Sequence, residues 1–206
     1  MKKFILLLIV VAQFHFGCTD AVVDHQIPEA TIPDIGYTKI DSVLAYNKHL
    51  SLDLNSDGKY DFNFSSVLLM EGGKSYLYLQ VKPNGAEGNK VLLSKDPELT
   101  TNGMWAYPLA TGSLITETPE SGSIWSSSTQ TGSIINVTEN SQPEFDGLWN
   151  GQQDKYLAVR TASNGMVQYG WIRISHLSGQ KKVLIHDMGS SLVSGKSIKA
   201  GQKNPF

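Results

Sequence analysis

Apolar residues along this chain recur with a period of two, in short runs separated by Gly, Asn, Asp and Ser. That alternation is the mark of strands with one face buried, because successive strand side chains point to opposite faces. Leu50, Leu52 and Leu54 alternate cleanly, and Tyr60, Phe62 and Phe64 share one face with Asp61 and Asn63 on the other. Lys39–Ala45 alternates less regularly, and Ser75–Val81 and Lys90–Leu93 read as further strands. In the C-terminal third, Lys155–Arg160 and Val167–Ile174 flank Ser163-Asn164-Gly165, where Asn-Gly favours the hairpin turns that match strand twist. Lys182–His186 and Ser197–Ala200 complete the set.

Thr111-Gly112-Ser113-Leu114, Ser121-Gly122-Ser123-Ile124 and Thr131-Gly132-Ser133-Ile134 recur every ten residues, the spacing of one short strand and its turn. A structural repeat and a chance of Ser/Thr-rich composition both account for it. No segment carries a sustained 3.6-residue apolar stripe. The pattern therefore predicts an all-β protein, an antiparallel β-sandwich of jelly-roll-like form with about nine to eleven strands.

The first residues follow a different rule. Lys2 and Lys3 precede the apolar run Phe4–Val11, and the segment ends His15-Phe16-Gly17-Cys18. A charged start and a compact apolar run mark an export signal, and the run is shorter than the roughly 20 residues a membrane helix needs. Gly17-Cys18 resembles the lipobox of bacterial, Bacteroidota-type lipoproteins, although His15 and Phe16 replace its commoner Leu and small residue. The resemblance implies cleavage after residue 17 and a cysteine at Cys18 carrying a diacylglycerol and an amide-linked acyl chain such as palmitate. Thr19, rather than Asp, follows the cysteine, which by the same analogy places the protein at the outer membrane. Residues 18–36, with Pro28 and Pro33, read as an extended tether, and 37–206 as the sandwich.

Loss of the leader takes two of the seventeen basic residues and leaves nineteen acidic ones, a net charge near −4. That balance excludes nucleic acid as a partner, since such binding rests on clustered Lys and Arg. With its one cysteine lipidated, the domain can form no disulfide, so stability comes from packing, with or without a metal.

A metal has one candidate place. Asp53-Leu54-Asn55-Ser56-Asp57-Gly58-Lys59-Tyr60-Asp61 sets oxygen donors at alternate positions, as a hard cation with six to eight oxygen ligands requires. Asp53, Asn55, Asp57, the Lys59 carbonyl and Asp61 are the expected calcium ligands, and Gly58 permits the tight bend. The spacing resembles the first nine positions of an EF-hand loop, and the calcium loops of dockerin and integrin-type repeats. It departs at the twelfth position, where Phe64 replaces the bidentate Glu. A metal-free turn rich in Asn and Asp is the alternative.

Other chemistry is thinner. Trp105 and Trp125 lie in Gly/Ser-rich surroundings and are candidates for stacking a glycan, whereas Trp171 alternates like a core residue. His176, His186 and Asp187 could serve hydrolysis or a transition metal, but no Gly-x-Ser-x-Gly or His-Glu-x-x-His accompanies them. Glu117, Glu120, Glu139 and Glu144 are generic carboxylates for a glycosidase pair. Asp154-Lys155-Tyr156-Leu157-Ala158-Val159-Arg160 with Tyr169-Gly170-Trp171-Ile172-Arg173 and Ala200-Gly201 resembles a pattern of uncharacterised secreted bacterial proteins, with Ala158 in place of its usual Gly. That resemblance implies export and fold, not an activity. The expected function is a non-enzymatic binding or surface role, with a glycan or protein as ligand and the membrane as partner through the lipid. The alternative is a carbohydrate-binding module or a lectin-like glycoside hydrolase.

Overall fold

The computed structural model describes residues 34–84, 88–96 and 103–204. In chain order the strands are β1 (Ile35–Ala45), β2 (His49–Leu52), β3 (Phe62–Glu71), β4 (Lys74–Pro83), β5 (Lys90–Ser94), β6 (Met104–Trp105), β7 (Pro108–Leu109), β8 (Leu114–Ile115), β9 (Ser123–Trp125), β10 (Gly132–Glu139), β11 (Glu144–Asp146), β12 (Lys155–Ser163), β13 (Met166–His176), β14 (Lys182–Ser191) and β15 (Ile198–Lys199). Eleven of these have three residues or more, matching the expected count, and four are two-residue segments. No helix occurs among the described residues, so none there is long and apolar enough to cross a membrane.

One sheet runs β1-β14-β13-β12-β5-β9, with β7 added on β12, and the other runs β11-β10-β4-β3-β2, with β6 added on β10. The β10–β6 pairing is parallel and the remaining ladders are antiparallel. The inner faces meet in one core. Leu157, Val159, Ile172, Ile174, Val183 and Ile185 on one sheet face Phe62, Phe64, Leu77, Leu79, Val81, Ile135 and Val137 on the other. This is an all-β sandwich.

The first sheet is covered on its outer face as well. A small ribbon of β8 and β15 lies there, and Leu109, Ile115, Ile198 and Ala200 pack on Tyr156, Ala158, Tyr169 and Trp171. A strand buried on both faces loses its polar alternation, which is why Tyr156-Leu157-Ala158-Val159 is apolar throughout.

The hairpin forms where the sequence places it. Ser163 pairs with Met166 across Asn164-Gly165, whose φ angles of 51° and 76° are both positive, as the primed turn requires. Two expectations need correction, and one open reading is decided. Ile35 and Gly36 belong to the sandwich rather than the tether, pairing with Ser191 and Ser190. Tyr60 precedes β3 and is exposed, while β3 runs on to Glu71. The ten-residue echo is not a structural repeat, because its copies lead into β8, β9 and β10, which lie in different ladders. Residues 1–17, and the tether up to residue 33, lie outside the described residues.

Candidate functional site

The 53–61 loop leaves β2 and returns to β3, and its base is closed by backbone. Asp61 N–H donates to the Leu52 carbonyl at 2.7 Å, and Leu54 N–H donates to Asp61 Oδ2 at 2.9 Å. Leu54 is buried in the core, and its carbonyl accepts from Ser190 Oγ of β14 at 3.1 Å. Buried Leu52 and Leu54 at one end and buried Asp61 at the other thus pin the loop, leaving residues 56–60 at the surface.

The polar side chains of the loop turn inward. Asp53 Oδ1 and Asn55 Oδ1 both accept from Asp57 N–H, at 3.2 and 3.0 Å, so the two oxygens lie within about 6 Å of each other. Asp53 Oδ2 accepts from Gly58 N–H at 2.8 Å, and Asp57 Oδ1 accepts from Lys59 N–H at 2.9 Å. Asn55 Nδ2 and Ser163 Oγ reach Asp57 Oδ2 at 3.3 and 3.2 Å. The bend needs positive φ at Ser56 (58°) and Gly58 (84°).

Asp61 is placed differently from the other three. It is 5% exposed and accepts from Asn89 Nδ2 at 3.2 Å, while Asn89 Oδ1 accepts from Ala162 N–H. Burial pushes the Asp61 carboxyl above the usual aspartate range, the Leu54 and Asn89 hydrogen bonds offset part of this, and the charges of Asp53 and Asp57 add to the rise. Asp57 moves the other way, chiefly because Lys59 N–H stabilises its charged form. A cleft of about 300 Å³ separates the loop from the end of β12, lined by Asp57, Asp61, Asn84, Asn89 and Ser163 among others.

As they stand, no three Asp, Glu, His or Cys side chains among the described residues are grouped closely enough to hold an ion. The donor set is nonetheless the chemistry a hard cation takes: three carboxylates and amide oxygens, each accepting only one or two hydrogen bonds. Asn84, Asn89 and Ser163, which enclose the site, carry no spacing signal. They reach it from distant strands and connections.

The other candidates serve the fold. Trp105 is 6% exposed and a Cβ on Gly147 would lie 2.8 Å from its Cζ3, so its ring is a core element and not a glycan platform. Trp125 is half-buried, donates to the Thr116 carbonyl at 3.1 Å and lies beside Tyr169. The hollow beside it, about 10 Å³, has room for a water and not a sugar ring. Trp149 and Trp171 are fully buried.

His176 Nδ1 accepts from Gly151 N–H and its Nε2 donates to the Gln180 carbonyl, which uses both ring nitrogens on backbone. Burial lowers its pKa. His186 meets Ser175 Oγ at 2.9 Å, while Asp187 is engaged elsewhere, by Arg173. Glu139 pairs with Lys181, and Glu144 accepts from Asn140. Cys18 lies outside the described residues.

The Arg173–Asp187 pair explains the Tyr-Gly-Trp-Ile-Arg strand. Arg173 Nε and one terminal nitrogen of its guanidinium donate to the two Asp187 oxygens at 2.9 and 2.8 Å, its other terminal nitrogen donates to Asp154, and Tyr37 adds a hydroxyl at 3.0 Å. Trp171 lies on Gly189, edge-on to Tyr156, and donates to the Gln202 carbonyl. These residues fasten β1 and the segment after β15 to β13 and β14. No family model, curated protein or solved structure matches the chain.

Proposed function

We propose that this chain is an envelope-anchored, non-enzymatic β-sandwich lipoprotein, held at the outer membrane by lipid on Cys18 and braced by calcium in the 53–61 loop. The observation that carries the metal reading is the gathering of Asp53, Asn55 and Asp57 oxygens around one stretch of backbone, beside a buried carboxyl at Asp61. Asp61 supplies the physical reason. A carboxylate whose charge is raised in cost by burial and by two neighbouring carboxylates gains most from a dication. Calcium would take Asp53, Asn55 and Asp57 first, with Asp61 and the Lys59 carbonyl completing the set.

Support for a non-enzymatic role lies in how the candidate groups are used. His176, Asp187, Arg173 and Glu139 are engaged in bonds that close turns or clamp strands. Support for the anchor rests on the leader and Gly17-Cys18. Titration calorimetry of calcium into the metal-stripped full chain tests the metal. Saturable binding with a Kd near 10⁻⁴ to 10⁻³ M, lost in Asp57→Ala, is the expected result, and no heat in the parent contradicts it. Labelled palmitate should enter the parent and not Cys18→Ser.

A further inference from the structure

The chain enters the sandwich at Asp34, and the turns around that entry carry an apolar tip. β14 ends at Ser191, and the next residue, Leu192, donates its N–H to the Asp34 carbonyl at 2.8 Å. The turn that follows lies against the start of β13. Gly195 N–H donates to the Val167 carbonyl at 2.7 Å, and Ser194 Oγ accepts from Val167 N–H at 3.1 Å. Met166, the first residue of β13, lines a hollow of about 110 Å³ with Asn55, Asp57 and Ser163, so the 53–61 loop borders the same tip. Met166, Leu192 and Val193 thus gather on adjacent turns, exposed at 54%, 45% and 45%. Surface turns are otherwise the province of Gly, Asn, Asp and Ser, as the 53–61 loop shows.

The backbone of this tip is closed on itself. Val193 N–H donates to Ser191 Oγ at 3.3 Å, and Lys196 N–H donates to the Val193 carbonyl at 3.2 Å. The N–H groups of Leu192, Val193, Gly195 and Lys196 are therefore all met, and an unmet backbone group is what an apolar layer penalises most. Charge is closed in the same way, since Lys196 pairs with Asp34. The other exposed apolar run, Leu68-Leu69-Met70, lies at the far end of β3 and lacks this closure. β2 pairs only with Phe62–Ser65, so beyond it β3 has no ladder partner, among the described residues, on the side away from β4. In a membrane that edge would carry open N–H and C=O groups.

The geometry points to the bilayer as the partner of the first tip: Met166, Leu192 and Val193 enter the headgroup layer of the membrane that holds the Cys18 lipid. This rests on the lipid reading of Cys18 and not on the ion. Fifteen residues, 19–33, separate Cys18 from Asp34, and that length spans at most about 50 Å. Contact through the Met70 end would use up most of this reach, because β1 alone runs eleven residues away from the entry, about 35 Å. Contact through the entry end needs little of it. The lipid keeps the domain at high local concentration over the bilayer, where three apolar side chains suffice to orient it, although they would not hold a free domain there.

Fluorescence quenching in the lipidated chain, reconstituted in phosphatidylcholine vesicles, tests the docking. These vesicles carry no net charge, so the acidic balance of the domain does not oppose contact. Lipid occupies the Cys18 thiol, and an introduced cysteine is then the only free one. A polarity-sensitive fluorophore is attached at Met166→Cys or, as a control, at Met70→Cys, which is the more exposed position at 75%. Nitroxide-bearing lipids should quench the Met166→Cys label several-fold more than the Met70→Cys label. Val193→Asp, at an exposed site, should reduce that difference while the chain stays on the vesicles. Equal quenching at the two positions, or stronger quenching at Met70→Cys, in a chain that floats with the vesicles overturns the docking alone, and so does a difference that Val193→Asp leaves unchanged. A chain that does not float with the vesicles defeats the lipid reading, and the docking with it.

Discussion

Trp171 lies directly against Gly189: a Cβ on that glycine would stand 2.6 Å from Trp171 Cζ2, closer than van der Waals contact allows. The two residues face each other across β13 and β14, and the ring fills the space the missing side chain leaves. Gly189→Ala should destabilise the domain by about 1–3 kcal/mol, the cost of overpacking a buried site. Urea midpoints would read this, and an unchanged midpoint would show that the ring moves aside freely.

The Arg173–Asp187 clamp makes a pH-dependent prediction. Burial raises the Asp187 carboxyl, but hydrogen bonds from Arg173 and Tyr37 outweigh it and hold the group below the usual range. A depressed native value contributes stability above the unfolded aspartate pKa, about 3.9, and the contribution is lost as pH falls through the native value. Arg173→Met leaves a buried carboxylate without its main partner and should cost about 3 kcal/mol at neutral pH. The deficit should shrink on acidification below the ordinary carboxylate range. A deficit that stays constant with pH would assign the loss to packing alone.

Asp61 predicts the opposite slope. Its native pKa is raised by burial, so in chelator the folded state holds the proton more firmly than the unfolded chain does. Between the ordinary and the raised value, stability therefore rises as pH falls. Asp61→Asn should flatten that slope. Added calcium should stabilise the parent less at the acid end, since proton and cation compete for one carboxylate. Identical pH series for parent and variant would remove Asp61 from the site.

The turn residue Gly165 offers a local control. Its φ of 76° costs an L-residue about 1 kcal/mol. Gly165→Ala should lower stability by about that amount with no effect on calcium binding, measured by the same titration.

Much of this architecture was legible from period and turn chemistry. Phe62 and Phe64 point into the core as their alternation requires, and Asn164-Gly165 sets the β12–β13 register. The β8–β15 cover was not legible, because two-residue strands have no period to read. Nor was the double burial of β12, whose continuous apolar run hides which face meets which core. Spacing singled out the 53–61 loop, yet Asp61 looked like one more surface ligand. Its bond to Asn89 depends on a connection 28 residues away, which no local pattern encodes.

Thermal unfolding of the full chain in EDTA and in 10 mM calcium tests the central claim most directly. A Kd near 10⁻⁴ M for the folded state alone gives about 2.7 kcal/mol of stabilisation at that concentration, or roughly 5–10 °C in Tm for a domain of this size. The account predicts that shift in the parent and its loss in Asp57→Ala. Superimposable curves for the parent in the two conditions would contradict it.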